Sequence, residues 1–150
     1  MNYKEIVDSI KQLVQKHYFI NEFGYGDISD IKSKSQLNDN ESADYPYLFL
    51  NPSQHSRVNN LITYRFNMII MDMVADDDYL KVQSDCQLYA DDIISRFNDK
   101  YKVHQINITN VQYTTFKERF QDTVAGMTVS IEIILSKPID KCTLPYEEED

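Results

Sequence analysis

Two long stretches of the chain alternate apolar and polar residues one by one, the pattern of a β-strand with one covered face. The apolar positions of the first stretch, residues 60–74, are Ile62, Tyr64, Phe66, Met68 and Ile70. Those of the second, residues 125–135, are Ala125, Met127, Val129, Ile131, Ile133 and Leu135. Both faces become mostly apolar from Ile69 to Val74, so we expect that end to be more deeply buried. We therefore expect a β-sheet whose apolar face is buried by a second layer of structure.

Two other segments repeat their apolar residues every three or four positions, as amphipathic helices do. The stripe of the first, residues 3–17, consists of Tyr3, Ile6, Val7, Ile10, Leu13, Val14 and His17. The stripe of the second, residues 79–98, consists of Val82, Cys86, Tyr89, Ala90, Ile93 and Phe97. Asp76-Asp77-Asp78 precedes the second helix and favours a helix start there, because carboxylates are stabilised by the free N–H groups of the first turn.

Shorter segments complete a predicted order of helix, strands, helix, strands. We expect strands at 18–23, 45–50, 106–108 and 111–121, a loop at 51–59 and a turn at 122–123. Gly24-Tyr25-Gly26 predicts a sharp bend, and Pro46 indicates an edge strand or a strand start. This order predicts an α+β fold: two amphipathic helices packed on a mainly antiparallel or mixed sheet with a long C-terminal hairpin.

One domain accounts for the length of 150 residues, since domains commonly have about 100–150 residues. We assign residues 1–136 to a single α+β domain into which the polar loop 32–45 is inserted. Residues 137–150 end in Glu147-Glu148-Glu149-Asp150 and are interpreted as an acidic C-terminal arm, either solvated or bound to a partner. We find neither an internal repeat nor an interdomain linker.

The charge of the chain argues against bulk binding of nucleic acid. Acidic residues number 24 and basic residues 15, which gives a net charge of −9. Proteins that bind duplex DNA cluster lysine and arginine along the phosphates, whereas the arginines here are dispersed at 57, 65, 96 and 119. A negative surface does not exclude DNA that passes nearby, because it repels DNA and does not hold it.

The sequence also predicts where the protein resides. No apolar run reaches the roughly 18 residues of a membrane span, and the spaced apolar residues of the N-terminus do not make a signal peptide. We therefore expect a soluble, intracellular protein that contacts no membrane. Cys86 and Cys142 are the only cysteines, and we expect both thiols to be reduced.

The histidines and cysteines form no recognisable catalytic or metal-binding pattern. His17 continues the first helical stripe and is interpreted as a partly buried histidine at a helix end. His55 and His104 lack the paired spacing that a zinc site needs. Cys86 lies on an apolar helix face and is interpreted as a small buried residue, and Cys142 has no neighbouring base.

The acidic runs and the glycine pair are the remaining chemical candidates. Asp76-Asp77-Asp78 and Asp91-Asp92 could hold two metal ions, but adjacent aspartates on a helix diverge and the two runs are about four turns apart. Helix capping and solvation explain them better. Gly24-Tyr25-Gly26 lacks the third glycine of a dinucleotide loop. We predict no catalytic, cofactor-binding or metal-binding residue, and hence no enzyme.

Three stretches carry a resemblance to a known family: Phe23-Gly24-Tyr25-Gly26-Asp27-Ile28, Tyr45-Pro46-Tyr47-Leu48-Phe49 and Phe120-Gln121-Asp122-Thr123-Val124-Ala125-Gly126-Met127. The order of elements matches as well: a helix at 3–17, a strand at 60–74, a helix at 76–98 and a hairpin at 106–136. With these features the chain resembles the tail-terminator, or tail-completion, family of head–tail connectors in tailed bacteriophages. It is similar to neck ring proteins of Bacteroides phages, including the crAss-like group.

The resemblance implies a structural role in the virion. It implies a homo-oligomeric ring of six or twelve copies in the neck or tail, assembled in the host cytoplasm, that connects portal to tail. DNA would pass through the lumen, and the partners would be neighbouring neck, portal or tail proteins. A ring needs arms or edges that reach a neighbour, and the loop 32–45, the hairpin near 113–123 and the arm 137–150 are available.

Two alternatives belong to other functional classes. A small acidic inhibitor could mimic DNA and occupy a host nuclease or polymerase, and the net charge of −9 is its support. Such a protein would bind one host partner and form no ring. A metal-dependent enzyme could use the aspartates, but the missing histidine and glycine motifs count against it.

Overall fold

The computed structural model describes residues 1–31, 44–119 and 123–137. Most of the polar loop 32–45, the turn at 122 and the arm beyond Lys137 lie outside the described residues. The elements in chain order are α1 (Tyr3–Lys16), β1 (Glu22–Tyr25), β2 (Tyr47–Pro52), β3 (Ser56–Val58), β4 (Leu61–Met73), α2 (Tyr79–Tyr101), β5 (Asn107–Arg119) and β6 (Thr123–Ser136). Short 3-10 turns lie at Ile28–Asp30 and Lys102–His104.

The strands form one six-stranded mixed sheet in the order β1-β2-β4-β6-β5, with β3 paired to β4 outside this path. β1 and β2 are parallel, and every other pair is antiparallel. β5 and β6 form the long C-terminal hairpin, with Asn107 opposite Ile134 and Arg119 opposite Thr123. The α+β fold with two helices on a mixed sheet, predicted from the sequence, is confirmed.

Both helices cover the same face of the sheet. Their buried stripes meet the inward positions of β2, β4 and β6 in one core, which includes Ile10, Phe97, Phe66 and Ile131. Each helix begins where a side chain accepts a hydrogen bond from a free N–H group. Asn2 accepts from the N–H of Glu5 at the start of α1, and Asp78 caps the first turn of α2. The predicted start of the second helix at the aspartate run is therefore confirmed for Asp78.

The opposite face of the sheet has a smaller apolar cluster and a larger polar area. Its buried members are Tyr47, Phe49, Ile69 and Met71. The deeper burial predicted for the end of β4 is thus found at residues 69–71, but Met73 is again exposed. The rest of this face is mostly polar, because threonine, arginine, asparagine, serine and glutamate of β4 and β6 point away from the helices, with Leu61 and Ile134 among them.

Two predictions about the segment after α1 are wrong in part. The strand begins at Glu22, not at residue 18, and Tyr18 is 95% exposed. Tyr18 and Phe19 precede the paired part of the chain, because the parallel register of β1 and β2 starts at Glu22 opposite Tyr47. Gly24 and Tyr25 are part of this strand, and only Gly26 has a positive φ, of 142°. Gly24 serves packing, because a Cβ atom there would collide with the rings of Tyr47 and Phe49.

The interpretation of residues 51–59 as a loop is also wrong in part. β2 continues through Pro52, and β3 makes a small hairpin with β4 around Asn59, whose φ is 54°. Pro46 marks a strand start, since β2 lies between β1 and β4 and is not an edge. The two strands predicted at 106–108 and 111–121 form one strand, β5, with a bulge between Thr109 and Gln112.

Candidate interaction surfaces

His17 and Asp92, two residues singled out by the sequence, meet across the two helices. His17 follows the last turn of α1, and its Nε2 atom lies 2.9 Å from Oδ2 of Asp92 in α2. The His17 ring also lies edge-on to the ring of Tyr89, at 5.3 Å between centroids. This contact joins α1 to α2, in agreement with the interpretation of His17 as a partly buried histidine at a helix end.

Of the other aspartates in the two acidic runs, Asp76 and Asp77 lie in a turn, Asp78 caps a helix and Asp91 accepts a hydrogen bond. Asp76 and Asp77 both have positive φ, in the turn that leads to the Asp78 cap. Asp91 accepts a hydrogen bond of 2.5 Å from the Tyr113 hydroxyl, which raises the pKa of Tyr113 to about 12. The described residues contain no group of three or more histidine, cysteine, aspartate or glutamate side chains able to hold a metal ion.

The remaining histidines are far from each other. Nδ1 of His55 accepts a hydrogen bond of 3.1 Å from the N–H of Arg65, and the His55 ring packs against Tyr3 and Tyr64. Burial and the nearby Arg65 cation lower the pKa of His55. His104 lies exposed in the turn after α2. The geometry therefore links each histidine to a local packing contact or to solvent.

Cys86 is fully buried on the inner face of α2, as its position on the apolar stripe predicts. Burial raises the pKa of its thiol to about 12, so the thiolate that would act as a nucleophile is rare at neutral pH. Cys142 lies outside the described residues. The structure thus places Cys86 in the core, where it fills space.

The helix-free face of the sheet carries a polar ladder across β4, β6 and β5. Arg65 donates to Glu132 across the β4–β6 pair at 3.1 Å, and Asn110 donates to the other Glu132 oxygen at 3.1 Å. Both hydrogen bonds lower the pKa of Glu132. Beside them Ser130 donates to Asn67 at 2.8 Å. These side chains fulfil one another's hydrogen-bonding capacity across neighbouring strands. We therefore interpret the ladder as a solvated surface that helps to fix the register of the strands.

The β5 edge of the sheet is long and only partly covered. Asn98 of α2 bonds both the N–H and the C=O of Ile108, at 2.7 and 3.4 Å, and Gln83 of α2 donates to the C=O of Phe116 at 3.1 Å. These side chains occupy the outward backbone groups at two points. In an antiparallel strand the backbone N–H and C=O groups of one residue point to the same side of the strand, and that side alternates from each residue to the next. Counting back from Phe116, Thr114 and Gln112 also point outward.

The backbone between these two points is open. In the described part of the chain, no hydrogen-bond partner faces the outward N–H and C=O groups of Gln112 and Thr114. The side chains of residues 112–115 are exposed. Within this open part, only the stretch from Gln112 to Thr115, which follows the bulge, is regular, and an uncovered stretch of strand is a template for pairing with another strand. Periodicity alone gave no sign of it, because the position of a strand within the sheet depends on tertiary pairing.

The opposite edge of the sheet is β1, and it is built differently. β1 has four residues, Glu22–Tyr25, and pairs in parallel with β2. The sheet therefore ends in two unlike edges, one long and one short. The hydroxyls of Tyr25 and Tyr3 lie 2.6 Å apart, which ties the end of β1 to α1.

No protein-family model matches the chain, and a search of curated proteins returns no relative. Neither helix of the described structure is long and apolar enough to cross a membrane.

Proposed function

We propose that this chain is a structural subunit of a phage virion that forms a ring in the neck or tail, connecting portal to tail and letting DNA pass. The observation that carries the proposal is the pair of unlike sheet edges. A closed ring requires a heterologous interface, in which one surface of a subunit meets a different surface of the next. An open stretch of β5 and a short β1 supply two such surfaces.

The lengths of the two edges suit each other. The open part of β5 lies between the residues that Asn98 and Gln83 cover, Ile108 and Phe116, and β1 spans Glu22–Tyr25. A four-residue strand fits within that gap. Strand addition gives affinity through main-chain hydrogen bonds and specificity through alternate side chains. In the proposed ring, β1 of one subunit extends the sheet of its neighbour beyond β5.

The charge of the chain favours passage of DNA over retention. With a net charge of −9, a ring of many copies presents a negative wall, and negative walls repel the DNA backbone. The proposal assigns the chain no turnover and no cofactor. Its partners are further copies of itself and the adjacent neck, portal or tail proteins.

The test is quantitative mass spectrometry of purified tailed phage particles that encode this chain. The proposal expects the protein in mature particles at a fixed copy number of six or twelve per virion. It also expects tailless or leaky heads when the gene is silenced. If the protein is absent from particles and is recovered from infected cells as a monomer bound to a host nuclease or polymerase, it is an acidic inhibitor and the proposal is wrong.

A further inference from the structure

A groove between the two helices differs in chemistry from the rest of this acidic molecule. It has a volume of about 760 Å³ and lies between the end of α1 and the C-terminal half of α2. Its lining includes the basic residues Lys16 of α1 and Arg96 and Lys100 of α2, together with the aromatic pair Tyr18-Phe19 that follows α1. Three basic side chains thus meet two aromatic rings on a chain that has only 15 basic residues in total.

Two of the three basic groups, those of Lys16 and Arg96, are available to a ligand, and the Lys100 ammonium lies 5.4 Å from the centroid of the Tyr101 ring. Within the described ranges, neither Lys16 nor Arg96 makes a hydrogen bond or an ion pair. Of the two acidic side chains in the lining, Asp92 is engaged by His17, and Asp99 is the other. Residues 92, 96, 99 and 100 share one face of α2, because helix positions three and four apart are neighbours. With three basic and two acidic side chains in its lining, the groove carries a slight positive charge on an otherwise acidic molecule.

The aromatic wall of the groove is open as well. Tyr18 is 95% exposed and Phe19 is 61% exposed. Phe19 stacks on Tyr89 with the ring centroids 5.9 Å apart, which fixes the orientation of the wall. Large exposed aromatic side chains beside charged groups are typical of protein contact surfaces. An occupant should therefore offer apolar or aromatic groups followed by acidic ones.

The chain itself contains a segment with that composition. Leu144-Pro145-Tyr146 is followed directly by Glu147-Glu148-Glu149-Asp150. The point from which this segment departs is fixed: the N–H of Lys137 donates to the C=O of Asn60 at 2.7 Å, and the C=O of Lys137 accepts from Arg57 at 2.9 Å. From there residues 138–150 can reach at most about 45 Å when fully extended. Leu144 is seven residues beyond Lys137 and can lie at most about 25 Å from it, so the arm is long enough to contact a subunit packed directly beside its own.

We propose that the C-terminal arm of one copy docks in the groove between α1 and α2 of the adjacent copy. Leu144-Pro145-Tyr146 would pack against Tyr18 and Phe19, and the four acidic residues would pair with Lys16, Arg96 and Lys100. The inference rests on the proposed ring, because it needs a neighbour at a fixed distance. It adds a second heterologous contact to the pairing of β5 with β1.

The test is zero-length carbodiimide cross-linking of the full chain, with equal amounts of ¹⁴N and ¹⁵N protein mixed before assembly. The proposal expects Lys16 or Lys100 joined to residues 147–150 in peptides of mixed isotope. Cross-links of these residues within one isotope only would place each arm on its own subunit and overturn the inference.

A charge exchange gives the matched control. Arg96→Glu with Lys100→Glu, and separately Glu147→Lys with Glu148→Lys, should each weaken association about tenfold or more in sedimentation. The four changes in one chain should restore it. If all of these variants form closed rings as strongly as wild type, the docking of the arm is overturned and the proposed ring is not. A wild-type chain that stays monomeric at high concentration overturns the proposed ring and the inference with it.

Discussion

The two strands of the C-terminal hairpin pair along most of their length, yet they differ in burial. β6 lies between β4 and β5, and its inward residues are in the core, with Ile131 2% exposed. β5 is the outer strand, and its residues 112–115 are exposed. The difference separates two tasks: β6 holds the domain together, and β5 offers an edge. A change in β6 should therefore act on folding, and a change on the open part of β5 should act on assembly.

Ile131→Asp should have the largest effect, because it places a carboxylate without a partner in the core between β6 and the helices. Burial of an unpaired charge is among the few mechanisms that cost more than about 4 kcal/mol. We expect the variant to be unfolded at 25 °C by circular dichroism. Thr114→Asp on β5 is the control, and it should change the free energy of unfolding by less than about 0.5 kcal/mol. A folded Ile131→Asp variant would show that β6 does not form the core.

Asn98→Ala tests the anchor that attaches the start of β5 to α2. The change leaves the N–H and C=O of Ile108 without their side-chain partner, and a lost partner of this kind costs about 1–3 kcal/mol. Urea unfolding should measure that loss. Asn98→Asp keeps an acceptor for the Ile108 N–H and should lose less. Equal stability of Asn98→Ala and wild type would mean that α2 does not hold the β5 edge.

Glu132 gives a smaller effect that depends on pH. Hydrogen bonds from Asn110 and Arg65 lower the pKa of Glu132 in the folded protein. This contribution to stability is fully present above the unfolded pKa, near 4.3, and is lost as the pH falls through the lower folded value. Glu132→Gln should remove that part of the pH dependence. We expect the unfolding midpoints of the variant and wild type to differ at pH 7 and to converge at a pH below the folded pKa of Glu132. Parallel curves between these pH values would contradict the assignment.

The sequence predicts the elements whose evidence is local. α1, α2, β4 and β6 have long periodic patterns, so a short window of residues identifies each one. β3 was missed because three exposed residues, Ser56–Val58, carry no periodicity. Tyr18 and Phe19 were misassigned to a strand because aromatic residues favour strands, whereas the pairing of β1 begins later.

The surfaces proposed for assembly are harder to predict than the elements. Whether β5 is an edge depends on the order of strands in the sheet, which no single segment encodes. The groove depends on the way in which the end of α1 meets the C-terminal half of α2 at His17 and Asp92. The acidic arm was recognised by composition, but its proposed receptor required the positions of Lys16 and Arg96 in three dimensions.

The most direct test of the account is native mass spectrometry of the full chain beside two adjacent proline variants of β5. Proline lacks an N–H group. Thr114→Pro therefore removes an outward N–H from the open edge, whereas Thr115→Pro removes one that faces β6. The account predicts one closed species of six or twelve copies for wild type, a folded monomer for Thr114→Pro and a destabilised chain for Thr115→Pro. A wild-type dimer, or a Thr114→Pro variant that still forms the wild-type ring, would contradict the claim that the β5 edge joins the subunits.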